Sequence, residues 1–179
     1  MIVAVFPGQG SQTPGFLTPW LELDGARARL EQFSEVAELD LVAAGTEWDA
    51  DRIRDTKVAQ PLIVAASLLS WEALTAAAPN RVDGVAGHSV GEIAALVAAG
   101  VVSATDGMRL VALRGRAMAE AAAMEQTGMS AVLGGDESAV LERLSSLDLT
   151  PANYNGGGQI VAAGSLPALA ELADTPVTG

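Results

Sequence analysis

The sequence predicts an α/β protein: a parallel-sheet domain followed by a smaller mixed unit, each incomplete within 179 residues. Three observations predict it. Two short apolar runs, residues 2–6 and 82–86, each lead into a glycine-containing turn, and the second runs on at once into helical sequence. That is the pattern of strands buried in a parallel sheet. After Gly128 the texture changes to short strands and helices in the order β-α-β-β-α, the start of a split β-α-β unit. That unit wants one more strand, and two strands are thin for a parallel sheet among several helices. Both shortfalls predict that a further segment completes the chain.

The elements follow in order. Residues 2–6 form a buried strand, which enters the glycine-rich loop Pro7-Gly8-Gln9-Gly10-Ser11-Gln12. Residues 20–39 are roughly amphipathic and helical, and 49–55 make a short charged helix or turn. Residues 61–78 read as a long apolar helix, with Pro61 in its first turn and Pro79-Asn80 ending it. The second strand, 82–86, precedes a helix over 89–99. Another helix spans 103–124, interrupted by Gly107 and Gly115. Strands are then expected at 130–133, 152–155 and 159–163, with helices at 137–147 and 166–173. The corresponding domains are 1–127 and 128–179.

Composition narrows the chemistry. Half the residues are hydrophobic and 18% are charged, which is a globular balance rather than a disordered one. The absence of cysteine excludes disulfides, thiolate metal sites and a cysteine nucleophile. A net charge of −12 argues against nucleic acid, whose phosphates need clustered Lys and Arg. The local excess of positive charge is Arg109, Arg114 and Arg116. Residues 2–6 are too short for a signal peptide and lack a basic flank. No apolar stretch reaches membrane-spanning length without Gly, Pro or charge. A soluble, cytoplasmic protein with no membrane partner and no metal is the expectation.

Chemistry enters with Gly87-His88-Ser89-Val90-Gly91, a G-x-S-x-G between a strand and a helix. In that context the serine sits on a sharp turn with its hydroxyl exposed at a helix N-terminus, and acyl transfer through a serine ester follows. A structural alternative exists: Ser89-x-x-Glu92 fits a capping box. Capping leaves Gly91 unexplained, because glycine in a first turn weakens a helix. It leaves Gly87 unexplained as well. The oxyanion of an attacked acyl group would be held by backbone N–H groups, with Val90 as one natural donor. The loop at residues 7–12 is the candidate for a second, since Gly8 and Gly10 allow close approach. The alternative for that loop is an ordinary strand-to-helix turn.

Arg114 carries a second signal. At about 100° per residue, Leu110, Val111, Ala117 and Met118 form an apolar arc with Arg114 at its centre. A charge there is costly unless paired. It suits bidentate capture of a substrate carboxylate or a buried pair with Glu or Asp. Arg109 and Arg116 fall on another side and are solvated. His88, the chain's one histidine, is a poor base for Ser89, because neighbours on an incoming strand point to opposite faces. It is expected as a supporting group instead. Gln60, Asn153 and Asn155 could line a site or serve as caps and turn residues.

Together these residues resemble the malonyl-CoA:acyl-carrier-protein transacylases of fatty-acid and polyketide synthesis. The matching pieces are Phe6-Pro7-Gly8-Gln9-Gly10-Ser11-Gln12, Gln60-Pro61, Gly87-His88-Ser89-Val90-Gly91-Glu92 and Arg114-Gly115-Arg116-Ala117-Met118. Pro151-Ala152-Asn153-Tyr154-Asn155 followed by Gly158-Gln159-Ile160-Val161 matches as well. The Ala- and Arg-rich style, with one lysine, resembles an actinobacterial member, and Met1 directly before the first strand suggests a free-standing enzyme.

The resemblance implies a serine-hydrolase-like α/β domain with an inserted ferredoxin-like subdomain. It implies ping-pong transfer of malonyl from malonyl-CoA to the phosphopantetheine thiol of acyl carrier protein, with the coenzyme A thioester as substrate and no cofactor. Ser89 would be the nucleophile, and the N–H groups of Gln9 and Val90 the oxyanion hole. Arg114 would hold the malonyl carboxylate. Gln60 and His88 would lie at the substrate, and the subdomain around Asn155 would cover one side. The family's catalytic histidine is expected beyond Gly179, so the 179-residue chain alone is expected to be impaired. Two alternatives stand beside this reading. One is a lipase or patatin-like hydrolase, which shares G-x-S-x-G but has no use for Arg114 or the Gln9 loop. The other is a catalytically silent fragment that only binds a partner.

Overall fold

The computed structural model describes residues 1–79 and 81–175, which divide into two compact units at Glu120/Ala121. The first unit holds two strands, β1 (Val3–Phe6) and β2 (Gly84–Gly87), paired in parallel with Val3 opposite Gly84 and Phe6 opposite Gly87. Both were expected to be buried, and neither is: Val3 and Val5 are 43% and 70% exposed, and in β2 Ala86 is exposed and the rest half-buried. Among the described residues β2 is the only strand beside β1, so burial stops at Phe6 and at the half-buried Ala4.

Helices supply most of the first core. The amphipathic stretch at 20–39 divides into a 3-10 turn, Thr18–Glu22, and α1 (Ala26–Ala37). Gly25 divides them, at φ 79°, a left-handed conformation that glycine takes without penalty. Two short helices follow. The first, α2 (Leu41–Thr46), went unseen in the sequence pattern, although Asp40 caps it by accepting from the Ala43 N–H. The second, α3 (Ala50–Arg54), fits the charged turn, with Asp49 capping it through the Arg52 N–H.

The long helix α4 (Thr56–Ala77) starts earlier than its proline suggests. Asp55 accepts from the Lys57 N–H and starts the helix, so Pro61 lies inside it rather than in its first turn. Asn80, expected to help end it, lies outside the described residues. By length and composition α4 could cross a membrane. Its apolarity has a nearer explanation: residues 58–65 are buried without a break, as in a helix enclosed on all sides by protein.

α5 (Gly91–Ala98) and α6 (Ala104–Met124) complete the first core. α6 runs unbroken through both of its glycines. They serve packing: a Cβ on Gly107 would stand 2.6 Å from Val97 Cγ2, and one on Gly115 3.1 Å from the Thr56 carbonyl oxygen. The start of α6 is fixed by Ser103, whose Oγ accepts the Asp106 N–H at 3.0 Å and donates to Asp106 Oδ2 at 2.7 Å. Arg109 donates to Oδ1 at 2.9 Å. These bonds, Ser103 first and Arg109 second, hold the Asp106 carboxyl below its ordinary value. A depressed carboxylate adds stability above its unfolded pKa and loses it as pH falls through the folded one. Ser103→Ala should therefore raise the Asp106 pKa toward the usual carboxylate range, read by NMR titration of the side-chain carbon.

The second unit follows the predicted β-α-β-β-α order: β3 (Thr127–Leu133), α7 (Glu137–Ser146), β4 (Thr150–Gly156), β5 (Gln159–Ser165) and α8 (Leu166–Asp174). The strands pair antiparallel in the order β3-β5-β4, with Met129 opposite Ala163 and Tyr154 opposite Ile160. The last strand of the hairpin is thus central, which puts β3 and β4 at the edges of a three-stranded sheet. α7 and α8 cover one face. Val140, Leu144, Leu149, Ile160, Ala162, Leu169 and Leu172 form its core.

Candidate active site

The site is built where β2 stops. Gly87 ends the strand, and the His88 N–H donates to the Phe6 carbonyl at 3.0 Å, so β1 still guides the chain. The next residue, Ser89, has φ 53°. A side-chain-bearing residue pays about 1–2 kcal/mol for that left-handed backbone. Helix α5 then begins, with Val90 at its N-cap. This disposes of the capping box. Ser89 accepts the Glu92 N–H through its carbonyl, not its hydroxyl, and no side chain caps the helix. The hydroxyl is free for other partners.

Both flanking glycines are required by contact. A Cβ on Gly87 would overlap the Gly91 carbonyl, and one on Gly91 would overlap the carbonyl oxygen of Phe6. The turn is therefore pressed against the end of β1, where backbone alone fits. Gly91→Ala should destabilise the first unit by about 3 kcal/mol or more, since the clash is with main chain that cannot rotate away. Chemical unfolding of the variant measures this.

Arg114 reaches the serine. Its Nη2 donates to Ser89 Oγ at 3.2 Å, and its Nη1 donates to Gln60 Oε1 at 2.6 Å. Gln60 is 1% exposed, and its Nε2 donates in turn to Met118 Sδ at 3.2 Å. Among the described residues Arg114 makes no ion pair, so the buried pair with Glu or Asp weighed from the sequence is not what holds it. The apolar arc needs correction. The buried stripe of α6 is Gly107, Met108, Val111, Ala112 and Gly115, while Leu110 and Met118 are exposed. Small residues make the close contacts, and Arg114 stands half-buried beside the stripe rather than at its centre. Arg109 and Arg116 sit as expected at the surface, paired with Asp106 and Glu38.

The loop after β1 lies against the same turn. A Cβ on Gly8 would stand 2.6 Å from His88 Nδ1. Gln9 points its side chain away, donating from Nε2 to the Arg54 carbonyl at 3.2 Å and to Thr56 Oγ1 at 3.4 Å. Neither the Gln9 N–H nor the Val90 N–H donates a hydrogen bond among the described residues. The His88 ring makes none either, to Ser89 or to anything else described.

Ser89, Val90, Gln60 and Arg114 thus come together in one unit, with the Gln9 loop and His88 beside the elbow. Asn155 does not join them within that unit. It lies on β4 of the second unit, where its Nδ2 donates to Gln159 Oε1 at 2.7 Å across the hairpin. Met118 was the partner missed by residue reasoning. Its position four residues after Arg114, on the same side of α6, was the available signal. Among the described residues no group of three or more His, Asp or Glu is placed to hold a metal.

The family model described as "acyl transferase domain" matches residues 3–175. The malonyl CoA-acyl carrier protein transacylase of Mycobacterium tuberculosis is 56% identical over 178 residues, covering 98% of this chain and 59% of that protein. The crystal structure of MCAT from Mycobacterium tuberculosis superimposes with a TM-score of 0.94 at 56% identity, covering 99% of this chain and 60% of the other. A type II PKS acyl-carrier protein in complex with its malonyl-transacylase gives a TM-score of 0.88 at 31% identity, over 97% of this chain and 58% of the other. The chain thus spans about 59% of the length of the curated relative it matches.

Proposed function

The chain belongs to the acyl transferase domain family, and on that premise we propose that the whole protein moves malonyl from coenzyme A to a carrier protein through an ester on Ser89. One observation carries the reading. The Arg114 guanidinium lies 3.2 Å from Ser89 Oγ and has no carboxylate partner among the described residues. A cation left uncompensated beside a nucleophile is suited to an acyl group that brings its own negative charge. Malonyl does so, two bonds beyond the carbonyl that is attacked.

The steps follow from that placement. The malonyl carboxylate takes the donors that Arg114 now spends on Ser89 and keeps Gln60 as the second anchor of the guanidinium. Ser89 Oγ then attacks the thioester carbonyl. The forming oxyanion is held by the Val90 and Gln9 N–H groups, helped by the positive end of α5. The C–S bond breaks, coenzyme A leaves as its thiolate and takes up the proton that Ser89 gave away. In the second half the carrier's phosphopantetheine thiolate attacks the ester, and Ser89 leaves and is reprotonated. The family resemblance assigns the proton to a histidine in sequence beyond Gly179; among the described residues Arg114 touches the hydroxyl. His88 helps to fix the loop through its contact with Gly8. Asn155 belongs to the covering subdomain. The reaction is placed in the cytoplasm, with malonyl-CoA and a phosphopantetheinylated acyl carrier protein as partners and no cofactor. The carrier serves fatty-acid synthesis or, as in the solved complex, a polyketide pathway.

The test is direct. Full-length protein incubated with malonyl-CoA should gain one malonyl group on the peptide bearing Ser89, and holo carrier protein should remove it. Release of free malonate without transfer would mark a hydrolase instead. The 179-residue chain alone should acylate at least about 10²-fold more slowly than the full-length protein, because its base is absent.

A further inference from the structure

The side chains of the Gln9 loop do something the reaction scheme does not use. α3 ends at Arg54, and α4 takes the following N–H groups for itself: Lys57 donates to Asp55 Oδ1, and Val58 and Ala59 to the Asp55 carbonyl. The last carbonyls of α3 are therefore left without backbone partners, as at any helix end. Two glutamines of the loop supply them. Gln12 Nε2 donates to the Ile53 carbonyl at 3.3 Å, and Gln9 Nε2 donates to the Arg54 carbonyl at 3.2 Å. Gln12 also turns back, its Oε1 accepting the Gly10 N–H at 2.9 Å. Gly10, at φ 109°, provides the bend that makes this return possible.

Gln12 thus bonds to the loop through one end of its amide and to α3 through the other. It ties the backbone immediately after Gln9 to a rigid helix end 41 residues away in sequence. The segment is framed by two aspartate caps, Asp49 at the start of α3 and Asp55 at the start of α4. The Gln9 N–H is left with no acceptor among the described residues.

We infer that Gln12 is a positioning residue for the oxyanion hole: it locks the loop onto the end of α3 so that the Gln9 N–H is aimed where the oxyanion forms. The inference rests on the acyl-transfer reading of Ser89. It asks nothing of substrate binding, since Gln12 would act only as charge develops on the carbonyl oxygen. Pre-aimed donors work because they need no reorganisation at the moment of reaction.

The experiment uses the full-length protein, with the rate of Ser89 acylation by malonyl-CoA followed by rapid quench and mass spectrometry. Gln12→Ala should slow acylation by about 10- to 100-fold, part of what the loss of a whole oxyanion donor costs. KM for malonyl-CoA should stay within about twofold, because the acyl carboxylate is held elsewhere. Gln12→Glu keeps an acceptor for the Gly10 N–H but cannot donate to Ile53, and it should slow acylation with little change in melting temperature. It keeps the test open if the alanine variant folds poorly. The decisive comparison is on a Gln9→Pro background, where the N–H itself is gone. There the Gln12→Ala loss should shrink below about threefold, as expected for two changes acting on one interaction. Losses that multiply independently, or a rise in KM at unchanged kcat, would overturn the inference. If wild-type protein gave no Ser89 adduct at all, the acyl-transfer reading would fail instead. An adduct with an unimpaired Gln12→Ala would leave that reading standing and remove only this one.

Discussion

Ser89→Ala in the full-length protein should abolish the malonyl adduct and lower transfer to carrier protein by about 10⁴-fold or more, the scale on which a removed nucleophile acts. A surviving adduct at another residue would overturn the assignment. A companion variant separates chemistry from strain. Ser89 holds φ 53°, a conformation glycine takes freely. Ser89→Gly should be as inactive as the alanine variant, yet about 1 kcal/mol more stable than it in chemical unfolding, because alanine keeps the strain and glycine releases it. Equal stabilities would mean that the turn holds no strain for glycine to relieve.

Arg114→Ala should cut kcat/KM for malonyl transfer by about 10²- to 10³-fold. Two charge-assisted hydrogen bonds to a carboxylate, each worth about 1.5–3 kcal/mol, would be lost in part to water. Acetyl transfer, whose acyl group carries no charge, should change by less than about threefold. The ratio of the two is the readout, and equal losses would count against the clamp. Arg114→Lys should fall between, since an ammonium keeps the charge but not the planar fork. The alanine variant should also lose about 1–3 kcal/mol of stability, because Gln60, 1% exposed, is left with an unpaired Oε1.

Much of this was legible before any coordinates. Ser89 between two glycines predicted a tight bend pressed against other backbone, and the contacts of Gly87 and Gly91 are that bend. The β-α-β-β-α order of the second unit was legible because its strands and helices are short and amphipathic, with glycines at 134–135 and 156–158 marking two of the turns. Arg114, which the fold brings to Ser89, was singled out by an imperfect route. Hydrophobicity points to Val111, which is buried, but also to Leu110 and Met118, which are exposed, while Gly107, Ala112 and Gly115 share the packing and leave little trace in an apolar pattern. α2 hid because six residues are too few to show a period. Pro61 misled for a physical reason: proline marks a first turn only when nothing earlier can start the helix, and Asp55 can. The anchoring of Gln9 and Gln12 to α3 was out of reach, because a bond spanning 41 or 45 residues leaves no local signal.

The parallel pairing of β1 with β2 has a consequence for the order in which the protein becomes competent. Phe6 meets Gly87, so the elbow is braced by a strand made well before it and completed only after the intervening helices have emerged. Closing so long a loop is slow and is rewarded only late. On the ribosome, residues 3–6 would wait unpaired while α1 to α4 fold beside them. Ser89 would acquire its strained, reactive geometry as one of the last acts of the first unit. The nucleophile is thus armed by tertiary closure, and a nascent chain cannot display it early.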